Sequence, residues 1–148
     1  MGIDTTLCAA FPGTGKSHYF RNSKLNVLDS DSSTFNKSEF PANYIEHIKN
    51  NMGKVDVILI SSHEEVREAL VENELPFTLV YPDKDLKGDY IARYKDRGSP
   101  EGFINIISNN WYNWLGELKD QRGCEKIILK QGEYISDVLP MEKEYESK

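Results

Sequence analysis

The stretch of chain that most constrains the fold is the run from Ala10 to Ser17, which reads Ala-Phe-Pro-Gly-Thr-Gly-Lys-Ser. It follows an apolar segment, residues 5–11, with the composition of a short buried strand, and it leads into a helix-like segment, residues 15–21. A strand, a glycine-rich turn, Gly-Lys-Ser and a helix are the context that a phosphate-binding loop requires. The sequence therefore predicts a strand–loop–helix unit that binds phosphate groups.

The residue types in this loop match the chemistry of phosphate binding. Glycine lets the backbone curl so that successive N–H groups point at phosphate oxygens. The lysine ammonium lies near the β- and γ-phosphates and the serine hydroxyl binds Mg²⁺, while the helix N-terminus adds a partial positive charge. The predicted nucleotide-binding residues are Gly13, Thr14, Gly15, Lys16 and Ser17.

The loop departs from the common pattern once, because it opens on Ala10 rather than on glycine. Alanine is small enough for the loop to form, although a left-handed backbone there would be strained. The alternative interpretation is a glycine-rich turn that happens to precede a lysine. The strand before the run and its Gly-Lys-Ser core favour the phosphate-binding loop.

Strand-like and helix-like segments alternate along the whole chain. The predicted strands cover residues 5–11, 26–29, 55–60, 76–81 and 126–130. Helices are predicted over 15–21, 43–51, 62–74, 84–96 and 100–121, and one or two helical turns over 134–139. A capping box at 62–65 is predicted to begin the third helix. This alternation predicts an α/β fold whose parallel sheet is covered by helices on both faces. We expect one domain over residues 1–140, followed by a charged tail at 141–148.

Two carboxylates follow the second predicted strand, in the run Asp29-Ser30-Asp31. Ligands of open α/β sheets bind at the carboxyl ends of the strands, where the phosphate loop also lies. Asp29 is the predicted Mg²⁺ ligand beside Ser17, and Asp31 is predicted to accept a proton from an acceptor hydroxyl or to orient it. The alternative is an Asp/Ser loop that caps the next segment.

The third predicted strand ends without an acidic residue. Its exit reads Ile-Ser-Ser-His, and its only acid, Asp56, lies at the opposite end. Many phosphate-loop proteins place a metal-binding carboxylate at this position, so its absence favours Asp29 or Asp31 as the metal ligand. Glu64 and Glu65 are rivals whose presence the start of the third helix already explains.

Arg93 and Arg97 lie four residues apart in the helix predicted after the fourth strand, and hence on one helical face. Bidentate arginines stabilise the charge on a phosphoryl group in transfer. A short mobile lid near residues 86–100 would carry them over the phosphates and exclude water. The alternative is a solvated basic face paired with Asp96 and Glu101.

The formal net charge of −6 argues against a broad surface for duplex nucleic acid, which needs clustered lysine and arginine. No apolar run approaches the roughly 20 residues of a membrane span, so no membrane partner is expected. The two cysteines, Cys8 and Cys124, fit buried thiols in a reducing compartment, which indicates the cytoplasm. The aromatic residues Trp111, Tyr112 and Trp114 indicate core packing of a long helix more than base stacking.

The loop, the acidic pair and the arginine helix together resemble the small kinases of the nucleoside monophosphate kinase and shikimate kinase superfamily. The segments Phe-Pro-Gly-Thr-Gly-Lys-Ser, Leu-Asp-Ser-Asp-Ser-Ser and Arg-Tyr-Lys-Asp-Arg-Gly also resemble small phage-encoded members, for which the compartment would be the host cytoplasm. The resemblance implies a three-layer fold with strand order 2-3-1-4-5. It also implies ATP as donor, with adenine between the base of the lid and the loop at 130–134.

The chain departs from the monophosphate kinases on the acceptor side. Those kinases bind the acceptor phosphate with arginines, and this chain has no arginine between Arg21 and Arg67. Arg67 and Lys37 are the remaining candidates, and His63 lies at the functional edge where it could contact an acceptor. This departure leaves room for a neutral hydroxyl acceptor.

These features predict an ATP- and Mg²⁺-dependent kinase whose acceptor is a small molecule, a nucleotide or a nucleoside-like compound. Its catalytic residues would be Lys16, Asp31, Arg93 and Arg97. A non-catalytic protein that binds or sequesters a nucleotide is the first alternative. A nucleic-acid end kinase is the second, and it would need a basic groove. The sequence does not set the oligomeric state.

Overall fold

The computed structural model describes residues 4–30 and 35–142. Asp31, the predicted acceptor-side acid, and residues 143–148 of the predicted tail lie outside these ranges. Five strands form the sheet: β1 (Thr6–Ala10), β2 (Val27–Asp29), β3 (Val57–Ser61), β4 (Phe77–Pro82) and β5 (Cys124–Leu129). Six helices lie between and after them: α1 (Lys16–Asn22), α2 (Ala42–Asn51), α3 (Glu64–Glu72), α4 (Lys87–Asp96), α5 (Glu101–Asp120) and α6 (Ile135–Val138).

The sheet has the order β2-β3-β1-β4-β5, and all of its strand pairs are parallel. This confirms the predicted α/β fold and the order 2-3-1-4-5, which is consistent with a P-loop NTPase. β1 is the central strand, since Ala10 pairs with Ser61 of β3 and with Val80 of β4. The phosphate loop therefore leaves the middle of the sheet, between the exits of two neighbouring strands.

Apolar side chains of β1 alternate between two cores, as expected for a strand buried on both faces. Leu7 and Ala9 join a large cluster with residues of α2, α3, α4 and α5, whereas Cys8 and Ala10 join a smaller cluster with Tyr19 of α1 and Ile135 of α6. Helices thus cover both faces of the sheet, and the ends of α1, α3 and α4 are brought near the strand exits.

Two details of the predicted helices are wrong. α3 begins after His63 with no side-chain hydrogen bond at its cap, so the predicted capping box at 62–65 does not form. Ser62 instead offers its carbonyl to a buried guanidinium (see below). The helix predicted over 84–96 is divided into a 3₁₀ turn, Lys84–Leu86, and α4, because the Asp83 carboxylate accepts a hydrogen bond from the backbone N–H of Asp85 and caps the turn.

Candidate functional site

The loop between β1 and α1 has the backbone that its glycines predict. Gly13 and Gly15 have φ angles of 87° and 94°, in the left-handed region that favours glycine. Ala10 is the last residue of β1, and in the described part of the chain only Glu74 is a non-glycine residue with positive φ. The glycine of the common pattern is therefore not required at this position.

The loop is tied to the sheet at its centre. The buried Thr14 hydroxyl donates to the carbonyl of Phe11 at 2.7 Å, and the N–H of Phe11 donates to the Val80 carbonyl of β4 at 3.0 Å. Lys16 and Ser17 form the first turn of α1, with Lys16 half-buried and Ser17 exposed. The N-terminus of α1 and the loop backbone thus face the same edge of the sheet, as anion binding requires.

Three tyrosines pack against the loop, and sequence reasoning did not identify them. The Tyr94 hydroxyl donates to the Pro12 carbonyl at 2.7 Å. A methyl group on Gly13 would lie 2.9 Å from Cε1 of Tyr94 and 3.2 Å from Cδ2 of Tyr90. On the other side, a methyl group on Gly15 would lie 3.1 Å from Cδ1 of Tyr134. The loop therefore needs glycine for space as well as for its φ angles.

Arg93 is held directly on the loop. Its Nη1 donates to the Gly13 carbonyl at 2.8 Å. Its guanidinium carbon lies 4.1 Å from the ring centroid of Tyr90 and 4.1 Å from that of Tyr134, so the cation is stacked between two aromatic faces. Arg97 is exposed one turn later, 5.1 Å from the Tyr94 ring, and its Nε donates to the Ser99 hydroxyl.

The two predicted arginines and the loop line one cleft of about 600 Å³. Lys16, Ser17, Arg93 and Arg97 all contribute to its wall, so the structure brings together the residues predicted for the donor phosphates. The packing of Tyr134 on Arg93 is a separate finding. Ring and guanidinium are in van der Waals contact, so the space directly between these two side chains is closed.

A second cleft, of about 290 Å³, lies on the other side of the loop. Lys16 and Ser17 line this cleft too, together with Asp29 from the end of β2 and Ser61 from the end of β3. The exit of β2 is anchored at the buried Ser30, whose carbonyl accepts from the Tyr44 hydroxyl at 2.8 Å. Asp29 and Ser17, the predicted metal ligands, therefore face one space.

The donor set in this cleft suits Mg²⁺, which prefers hard oxygen ligands and keeps several waters beside one or two carboxylates and substrate phosphates. Ser17 supplies a hydroxyl and Asp29 a carboxylate. Over residues 4–30 and 35–142 no three histidine, cysteine or acidic side chains cluster as a metal site. The residues fit a magnesium ion bound largely through nucleotide phosphates rather than one held by the protein alone.

His63, the residue before α3, lines this second cleft and an adjoining smaller cavity. Burial lowers the pKa of its imidazole, and the positive charges of Lys16 and Arg67 lower it further. The imidazole is therefore neutral near pH 7 and can accept a hydrogen bond or a proton. Sequence reasoning placed His63 at this edge, and the structure adds its electrostatic setting.

Arg67 is buried between α3 and α5, only 5% exposed. Its Nε donates to the Ser62 carbonyl at 2.8 Å and its Nη1 to Oε1 of Gln121 at 2.6 Å. Its Nη2 lies 3.9 Å from a carboxylate oxygen of Glu117. Arg67 lines the smaller cavity, but its guanidinium already forms hydrogen bonds and an ion pair within the protein. The sequence alone could not indicate these partners.

Trp111 and the partly buried Trp114 pack against the core as expected, whereas Tyr112 is exposed and does not. Trp111 is fully buried, stacks edge-on against Phe11 with ring centroids 5.6 Å apart, and donates from Nε1 to the Lys84 carbonyl. Tyr112 points outward, with the Lys87 ammonium 5.1 Å from its ring centroid. Trp111 thus packs against Phe11, the first residue after β1 and the start of the phosphate loop.

No protein-family model and no curated protein matches this chain. Among the residues that the structure describes, no helix is both long enough and apolar enough to cross a membrane.

Proposed function

We propose that this chain is a kinase that transfers the γ-phosphoryl group of ATP to a small acceptor in the presence of Mg²⁺. One observation carries the proposal. The first turn of α1, with Lys16 and Ser17, is a wall shared by the two clefts, one lined by Arg93 and Arg97 and the other by Asp29. Phosphoryl transfer needs a space for the acceptor beside the lysine that contacts the donor phosphates, and the second cleft is such a space.

The roles of the residues follow from this arrangement. The N–H groups from Gly13 to Ser17 would bind the β-phosphate, and the Lys16 ammonium would neutralise charge on the transferring group. Arg97 is exposed and would close over the phosphates. Arg93, fixed on Gly13, would present its guanidinium without a further loss of side-chain freedom. Ser17 and Asp29 would hold Mg²⁺, which supplies charge neutralisation between the phosphates.

In the transfer step, the acceptor hydroxyl oxygen forms a bond to the γ-phosphorus while the bond from that phosphorus to the β,γ-bridging oxygen breaks. The electron pair stays with ADP, and the hydroxyl proton leaves to a base. Asp31 remains the proposed base, and the neutral imidazole of His63 lines the cleft at Asp29. Catalysis of this reaction rests on positioning and on electrostatic stabilisation more than on covalent chemistry.

A non-catalytic nucleotide-binding protein is the second candidate function. The observation that favours it is the exit of β3, where Ser61 and Ser62 stand in place of a carboxylate. Such a protein would bind Mg²⁺ and ATP with no steady release of ADP.

The test is transfer of label from γ-labelled ATP to a panel of nucleosides, deoxynucleotides and short oligonucleotides, with ADP release followed in parallel. We expect labelled acceptor with the wild-type chain and with Lys54→Ala, an exposed lysine outside both clefts, and none with Lys16→Ala. Tight binding of ATP without turnover would favour the second candidate. Full activity of Lys16→Ala would refute the proposed role of the loop.

A further inference from the structure

The acceptor side of the site consists of two adjoining spaces. The cleft at Asp29 is about 290 Å³, and the cavity between α3 and α5 is about 170 Å³. Both are lined by Pro12, Ser62 and His63, which form a common wall. A molecule whose hydroxyl lies near Lys16 in the first space can therefore extend toward the second.

The cavity between α3 and α5 has an apolar side and an acidic side. Phe11, Trp114 and Leu118 supply apolar surface, while Glu64 and Glu117 supply carboxylates. Carboxylates accept hydrogen bonds from hydroxyl and amino groups, and they repel a phosphate dianion. The lining thus suits a ring with one apolar face and polar hydrogens at its edge.

Arg67 is the one cation among the described residues that line this cavity, and it is already engaged. Two of its nitrogens donate to Ser62 and Gln121, and its charge is balanced by Glu117 at 3.9 Å. Turning it toward a ligand phosphate would leave Gln121 and the Ser62 carbonyl without this donor. An arginine held in this way stabilises the packing of two helices rather than binding a ligand.

Among the described residues that line the two acceptor spaces, the one other lysine or arginine is Lys16. Lys16 lines the cleft, but it is assigned to the donor phosphates in the proposed function. The residues that follow the β2 exit, 31–34, read Asp-Ser-Ser-Thr and carry no positive side chain. Lys37 is exposed and is absent from the described lining of both spaces.

We propose that the acceptor is an uncharged hydroxyl compound, a nucleoside or a similar ring compound without a phosphate, rather than a nucleoside monophosphate. The inference rests on the proposed kinase function and narrows its acceptor class. The hydroxyl would face Asp29 and Lys16, the neutral imidazole of His63 would border the ring, and the apolar face of the compound would pack toward Trp114. The carboxylate of Glu64 would repel the phosphorylated analogue, while the charge of Glu117 is already balanced by Arg67.

The experiment measures acceptor binding separately from turnover. The chain is saturated with Mg²⁺ and a non-hydrolysable ATP analogue with a β,γ-imido bridge, which fills the donor cleft. Each common nucleoside and its 5′-monophosphate are then titrated in pairs, by calorimetry or by ligand-observed NMR. We expect at least one nucleoside to bind tenfold or more tightly than its own monophosphate.

A charge-reversal variant tests whether the acidic lining causes the preference. Glu64→Lys places a cation at the cavity and is expected to reduce the nucleoside preference at least tenfold. Glu72→Lys, an exposed reversal at the far end of α3, is the matched control and is expected to leave the preference unchanged.

The outcomes separate the acceptor class from the kinase function. Equal or tighter binding of the monophosphates overturns the acceptor class and leaves the kinase function standing. Binding of the ATP analogue with no nucleoside bound also overturns the acceptor class. Failure of the wild-type chain to bind the ATP analogue overturns the proposed function itself, and this inference with it.

Discussion

The packing of tyrosines on the phosphate loop makes Gly13→Ala the most informative single substitution. The φ angle of Gly13 is 87°, which an L-residue rarely adopts. The added methyl group would lie 2.9 Å from Cε1 of Tyr94 and 3.2 Å from Cδ2 of Tyr90. Both rings are fully buried, and the Tyr94 hydroxyl is bound to the Pro12 carbonyl. Neither ring can move away without disturbing the loop or the core.

The expected loss of stability has two parts. The left-handed backbone costs alanine roughly 1–2 kcal/mol, and a less flexible unfolded chain offsets about 0.4–1 kcal/mol of this. Overpacking against buried rings adds about 1–3 kcal/mol. We therefore expect Gly13→Ala to lower the free energy of unfolding by about 3 kcal/mol, the centre of the combined range.

Substitutions at two other glycines distinguish the backbone cost from the overpacking cost. Gly98 has a φ angle of 75° but nothing within 4 Å of an added methyl group, so Gly98→Ala isolates the backbone cost and should destabilise by about 0.5–1 kcal/mol. Gly116 lies inside α5 with nothing within 4 Å. Gly116→Ala should stabilise the chain by about 0.5–1 kcal/mol.

Equilibrium unfolding in urea, followed by circular dichroism and by tryptophan fluorescence, measures all three variants. At a slope of about 1.5–2 kcal/mol per M, a loss of about 3 kcal/mol in Gly13→Ala should shift the midpoint by roughly 1.5–2 M. A value for Gly13→Ala within about 0.5 kcal/mol of that for Gly98→Ala would show that the rings do not confine the loop, and would refute this reasoning.

Three further predictions concern the surroundings of the loop. Arg67→Met removes the guanidinium that donates a hydrogen bond to Gln121, and it should lower the free energy of unfolding, measured in urea, by about 1–3 kcal/mol. An unchanged free energy of unfolding would contradict the role of Arg67 in joining α3 to the end of α5. Because the folded pKa of His63 is lowered, the folded state binds fewer protons than the unfolded state near the ordinary histidine pKa. The wild-type chain should accordingly lose stability relative to His63→Gln as the pH falls from 7.5 through about 6.5, whereas parallel pH profiles would contradict the shift. Tyr134→Ala removes one ring from the guanidinium of Arg93 and should destabilise by about 1 kcal/mol, while Tyr134→Phe, which keeps the ring, should change stability by less than about 0.5 kcal/mol.

The fold could be predicted because its signals are local. The apolar run at 57–60 is short and continuous, as in a strand buried on both faces, and Gly-Lys-Ser marks the start of α1. Strand order followed from the resemblance of the loop and its neighbours to known kinases. Element boundaries differ from the predicted ones by a few residues. The capping box at 62–65 is absent because the cap residue of α3 is His63 rather than Ser62.

The surroundings of the site could not be predicted, because they depend on residues far apart in the chain. Tyr134 meets Gly15 and Arg93 only once β5 lies beside β4. Arg67 is engaged by Glu117 of α5 and by Gln121 at the end of that helix, which are distant from it in sequence. Tyr90 and Tyr94 are four residues apart, as are Arg93 and Arg97, so each pair lies on one face of the same helix. This spacing is the local sign in the sequence that tyrosines accompany the arginines at the loop.

The most direct test of the central claim is a calorimetric titration of the chain with ATP and Mg²⁺. The claim is that the loop from Gly13 to Ser17 binds the phosphates of a nucleotide. The account predicts one site in the wild-type chain and an affinity at least tenfold weaker in Lys16→Ala, with the unfolding midpoint of that variant unchanged. Equal affinities in the two proteins, or no binding by the wild-type chain, would contradict it.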